Sequence, residues 1–149
     1  MRIGSAGVTV ELPAGWHATK GNDGNITDPL TRIVVSSGPI DAGSSECQSQ
    51  ITNYSFTDYA VVLVFVEWWG PARSGSPGPR PSDFTEANLP VKRSALECYA
   101  GMGGAAFFED QGRDFGAYLY LGERASPRLA DDARTVLDTL EVRPARPRT

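Results

Sequence analysis

The run Ala60-Val61-Val62-Leu63-Val64-Phe65-Val66 constrains this chain more than any other segment. Val61, Leu63 and Phe65 alternate with Val62, Val64 and Val66, so a strand through these residues is apolar on both sides. Such a strand belongs in the middle of a sheet with further structure packed over each face. The expected strand extends from Ala60 to Trp69.

Around it the pattern is mainly that of strands and turns. Gly7 to Leu12 alternates Val8, Val10 and Leu12 against Thr9 and Glu11, and Pro13-Ala14-Gly15 then turns the chain so that Trp16 to Thr19 is expected to pair back as a short second strand. Thr31 to Ser37 carries the β-branched run Ile33-Val34-Val35 and reads as a strand, followed by a turn-rich connection over Gly38 to Ser45. Glu46 to Tyr54 reads either as a short helix or as irregular structure, leaning to helix in its first part. Gly70 to Ser82 holds too much Pro and Gly for a regular element and is expected to be a long exposed loop.

Arg93 to Tyr99, Ala105 to Asp110 and Asp114 to Leu121 read as three successive strands, with Gly101-Met102-Gly103-Gly104 and Gln111-Gly112 as the turns between them. The glycine group is not a phosphate loop, because it lacks the Gly-Lys-Ser/Thr that opens a helix. Ser126 and Pro127 begin a helix whose Leu129, Ala133, Val136, Leu137 and Leu140 share one face, and Glu141 to Arg143 is a last short strand. The expected fold class is α+β, an antiparallel sheet with a C-terminal helix packed across one face.

In order along the chain, Gly7-Val8-Thr9-Val10-Glu11-Leu12-Pro13-Ala14-Gly15-Trp16, the central strands and the closing Ala133-Arg134-Thr135-Val136-Leu137-Asp138-Thr139-Leu140 helix resemble the PsbP-like fold. That family covers extrinsic photosystem proteins, a Ran-binding nuclear import factor and many small bacterial proteins. The resemblance spans most of the chain and implies an antiparallel sheet flanked by helices. It carries no metal-binding or partner-binding signature onto these residues, and its small bacterial members are secreted or membrane-attached modules without known activity.

The totals exclude several functions. With 149 residues one domain over 1–149 is expected, with an ordered core over 5–143 and a flexible tail over 144–149. A net charge of −4 disfavours attraction to nucleic acid, and Arg143, Arg146 and Arg148 read as a solubilising end. No apolar run reaches bilayer-spanning length, so no membrane span is expected. Two cysteines, Cys47 and Cys98, with a single histidine do not make a zinc pattern, and the sequence calls for no metal or other cofactor. Cys47 and Cys98 are either a disulfide, which favours an extracytoplasmic location, or two buried thiols, which leaves the cytoplasm open. Asn25-Ile26-Thr27 and Asn53-Tyr54-Ser55 fit the glycosylation pattern, which is too common to add information.

Candidate chemistry is sparse. His17 is the sole histidine, and a catalytic reading pairs it with an acid such as Glu67 in a small hydrolase or isomerase; no Gly-x-Ser-x-Gly elbow supports it. Glu97, Glu109 and Asp110 also fall in or beside expected strands. Glu67 shares a side of its strand with Phe65 and Trp69, where burial raises a carboxyl pKa, although solvation at a strand end is the commoner outcome. Trp68 and Trp69 point to opposite sides and run into the Pro/Gly segment, so they either cap the core or offer a contact surface. The favoured expectation is a noncatalytic interaction or ligand-binding module with a protein or small-molecule partner at Glu67, Trp68 and Trp69. A structural subunit that pairs through a sheet edge is a third class, and the sequence assigns no oligomeric state.

Overall fold

The computed structural model describes residues 1–23, 26–43, 54–69 and 77–145. Among these, strands β1 (Arg2–Ser5), β2 (Val8–Glu11), β3 (His17–Thr19), β4 (Leu30–Ser36), β5 (Ile40–Ala42), β6 (Tyr54–Phe56), β7 (Val61–Trp68), β8 (Lys92–Arg93), β9 (Met102–Asp110), β10 (Arg113–Leu121) and β11 (Glu141–Val142) accompany one helix, α1 (Arg128–Asp138). The main sheet runs β3-β4-β7-β10-β9-β8 with every named pairing antiparallel. A smaller sheet is ordered β1-β2-β11, and β5 pairs with β6. This is an α+β fold built on antiparallel sheet.

β7 lies inside the main sheet and is buried from Val61 through Glu67. On its first face Val61, Leu63 and Phe65 join Ile33, Val35, Phe115, Ala117 and Leu119 under a cover made of Val8, Val10 and Leu12 from the small sheet and Ala130, Ala133, Val136 and Leu137 from α1. On its second face Val62, Val64 and Val66 pack with Val34, Ile40, Tyr54 and Tyr120, while Leu96 and Tyr99 close the margin. Both apolar sides of the central strand are therefore covered, as its composition requires.

Turn chemistry explains where the expected elements shift. β9 and β10 meet at Gln111 and Gly112, both at positive φ, the two-residue hairpin geometry that matches strand twist. Ala6 and Gly7 make the same kind of turn between β1 and β2, so the opening hairpin is β1–β2 and not the expected pairing of Gly7–Leu12 with Trp16–Thr19. β2 is flanked by β1 and β11, and the chain after Gly15 crosses to the main sheet; β3 therefore pairs with β4 and not back with β2. The connection expected over Gly38 to Ser45 contains β5.

The strand expected over Arg93 to Tyr99 ends at Arg93. Ser94 and Cys98 take positive φ, and Ser94 N–H and Oγ bond to the carbonyls of Gly101 and Ala100, closing a turn. Conversely, Met102-Gly103-Gly104 is strand rather than turn. A Cβ on Gly104 would lie 1.9 Å from the Pro90 carbonyl oxygen, so glycine here admits a close backbone neighbour. The helix starts at Arg128, one residue later than Pro127, with the Ser126 Oγ accepting from Arg128 N–H at 3.3 Å. The helical lean at 46–53 and residues 70–76 of the Pro/Gly loop lie outside the described residues; beyond them Pro79 bridges Glu109 beside β9.

Candidate functional site

Glu67 is the last buried residue of β7, and alternation carries its side chain onto the first face, in register with Leu30 and Phe115. The expected solvation at this strand end does not occur: Glu67 is only 6% exposed. Two guanidinium groups replace water. Arg113, the first residue of β10, donates from Nε to Glu67 Oε2 and from Nη2 to Oε1, each at 2.7 Å. Arg32 donates from Nε to Oε1 at 2.9 Å. Burial alone would push the Glu67 carboxyl up, but the hydrogen bonds and charges of Arg113 and Arg32 outweigh it and hold the carboxyl below its ordinary value.

Arg32 reaches Glu67 because the strand pairing slips. Thr31 faces Val66 and Ile33 faces Phe65, leaving Arg32 as the extra residue of a β-bulge. A bulge re-aims the inserted side chain. The Ser5 hydroxyl donates to the Arg32 carbonyl at 2.7 Å and ties the bulge to β1. Arg113 spends its other donors on scaffolding, with Nη1 bonded to the Arg143 carbonyl and Nη2 to the Ala6 carbonyl, both at 2.9 Å. It thereby fastens the β1–β2 turn and the end of β11 to the main sheet.

The two tryptophans separate, as neighbours on a strand do. Trp69 lies on the Glu67 side, 62% exposed, with the Arg32 guanidinium 5.4 Å from its ring centre and its backbone N–H donating to Asp28 Oδ1. Trp68 packs on the second face against Phe107, ring centres 5.6 Å apart. Capping of the core thus holds for Trp68 in part and fails for Trp69. Glu67, Trp68 and Trp69 border one open cleft together with Arg32, Arg113, Asp114 and Arg143.

His17 is not part of this cleft. It is exposed on β3 opposite Ser36, which pairs with Val62 of β7, five residues of strand from Glu67 and so on the order of 16 Å away. Among the described residues no hydrogen bond joins His17 to a carboxylate, and Glu67 is held by its guanidiniums, so the expected His17–Glu67 pair is not assembled. Glu97 and Glu109 are exposed, and Asp110 pairs with Arg80 at 3.0 Å.

Cys98 is exposed at φ 63° in the turn after β8, so it is not the buried cysteine of the alternative reading; Cys47 lies outside the described residues. No group of three metal-ligating side chains occurs among the described residues, and no helix there is long and apolar enough to cross a membrane.

Alternation alone pointed to Glu67 and Trp69. It does not reach Arg113, which stands one residue before the expected strand Asp114 to Leu121, or Arg32, which obeys no period of two. The signal that leads to them is chemical: an acid on an apolar strand face needs a cation. Comparison with family models, curated proteins and solved structures gives no match for this chain.

Proposed function

We propose that the chain is a noncatalytic interaction or ligand-binding module, acting outside the cytosol, with its contact site at the cleft of Glu67, Trp68 and Trp69. The observation that carries this reading is Trp69, a large aromatic ring left open to solvent at the rim of a cleft whose floor is locked by ion pairs. Exposed aromatic rings are efficient contact residues, since they offer a large apolar area at the cost of only two side-chain torsions. A noncatalytic role agrees with Glu67, whose lowered pKa and occupied oxygens suit a structural anion better than an acid or base.

A PsbP-like relationship belongs to the same proposal. The antiparallel sheet with α1 lying on its first face supports it, as does the small-sheet opening that carries Gly7 to Trp16. The site is tested by screening peptides and small molecules against the protein by NMR and repeating each hit with Trp69→Ala. Hits are expected to shift the Trp69 indole N–H and to weaken about tenfold in the variant; hits that bind Trp69→Ala unchanged would remove the cleft as the contact site.

A further inference from the structure

Arg32 and Arg113 share one carboxylate but are used differently. Arg113 is engaged at Nε, Nη1 and Nη2 by Glu67 and two backbone carbonyls. Arg32 bonds Glu67 through Nε, and its Nη1 and Nη2 find no protein acceptor among the described residues although the side chain is only 14% exposed. A guanidinium carries five N–H donors, and buried donors are normally satisfied. The open Nη edge belongs to the residue that the bulge turns into the cleft.

Charge points the same way. Two cations on one carboxylate leave one positive charge over, and among the described residues of the lining Arg32, Arg113 and Arg143 accompany Glu67 and Asp114, again one cation in excess. Excess charge in a partly desolvated site attracts a counter-charge more strongly than it would in water. The planar Nη edge fits two oxygens of a carboxylate side by side. A phosphate dianion would overshoot the single charge left over by Arg32, Arg113 and Glu67 and would lie against the Glu67 carboxylate.

We infer that the cleft recognises an organic carboxylate, held by Nη1 and Nη2 of Arg32 with its apolar body against the exposed Trp69 ring. This rests on the binding-module reading above and adds the ligand class. The Arg32 guanidinium beside Trp69 couples the two halves of the site: it steadies the ring and presents the fork next to it.

The test titrates the full chain with hydrocinnamate, its neutral amide hydrocinnamide and inorganic phosphate, following the Arg32 Nε–H and Trp69 indole N–H signals by NMR. Hydrocinnamate is expected to produce saturable shifts at both, with the amide about tenfold weaker or more. Arg32→Gln should abolish the preference for acid over amide. If that variant does not fold, Arg32→Lys keeps the cation without the fork and should lose most of the preference; full preference in either folded variant overturns the inference. Amide and acid binding the cleft equally, or phosphate binding tighter than the acid, overturns the carboxylate while sparing the binding site. No response in the cleft to any probe overturns both. A short peptide tighter than hydrocinnamate, and weakened by C-terminal amidation, supports the inference with a peptide end as the source; a peptide no tighter than hydrocinnamate supports it with a small acid as the source.

Discussion

Glu67 stabilises this fold only as an anion. Its carboxylate accepts from Arg113 and Arg32 in a site where removing one partner strands buried charge, and losses of that kind run to about 3 kcal/mol or more. Because the folded pKa lies below the ordinary value of 4.5, the stabilisation is fully present above that value and disappears as the pH falls through the lower folded value. Urea unfolding of the parent protein is therefore expected to show stability falling steeply with acid below about pH 4. Glu67→Gln should be destabilised by about 3 kcal/mol at neutral pH and lose that part of the acid dependence. A variant as stable as the parent, with an unchanged pH profile, would mean that the guanidiniums do not depend on this carboxylate.

At the scale of elements, a glycine on β10 sets the position of an aromatic ring on β7. A Cβ on Gly116 would lie 2.6 Å from Trp68 Cζ3, 2.8 Å from Cη2 and 3.2 Å from Phe107 Cδ1. Gly116→Ala should therefore push Trp68 off the second face and cost about 1 to 3 kcal/mol, read by thermal unfolding and by a changed near-ultraviolet tryptophan band. Unaltered spectra would mean that the ring shifts freely. Sequence periodicity alone reveals β7, the Gln111-Gly112 hairpin and the buried stripe of α1, since each follows one simple repeat or turn code. It hides β1, whose turn places Ala6 at positive φ, and the end of β8, where Ser94 and Cys98 do the same without glycine. It also reads Gly103-Gly104 as a turn, because close approach to Pro90 is a tertiary fact. In the site, Glu67 and Trp69 are legible from alternation, but Arg32 depends on a bulge and Arg113 on pairing across 46 residues.

Over the whole molecule the two faces of the main sheet are covered by different means. The first face has the small sheet and α1; Arg113 joins the small sheet to the main sheet, and the bond from Glu11 N–H to Thr139 Oγ1 joins the small sheet to the end of α1. The second has the β5–β6 pair and the turn after β8, and beneath them burial pushes the Tyr118 hydroxyl up to about 12 and raises Tyr120 further. Cys47 lies in the segment between β5 and β6 and Cys98 in the turn after β8, so a bond between them would fasten the two parts of this cover together. We expect intact mass without reductant to be lighter by two hydrogens than after reduction, and reduction to lower stability by roughly 3 to 4 kcal/mol on the chain-entropy account. Loosening the cover should also bring tyrosine ionisation back toward 10.0 in an absorbance titration. The sign follows from burial: a raised phenol pKa favours the folded chain below pH 10 and loses that advantage as the pH climbs toward 12. Ionisation that shifts on reduction would show that the crosslink holds the second face shut. Two free thiols at the outset, with Tyr118 still titrating near 12, would mean that packing of Tyr99 and Leu96 against that face is sufficient, and would remove the main support for a location outside the cytosol.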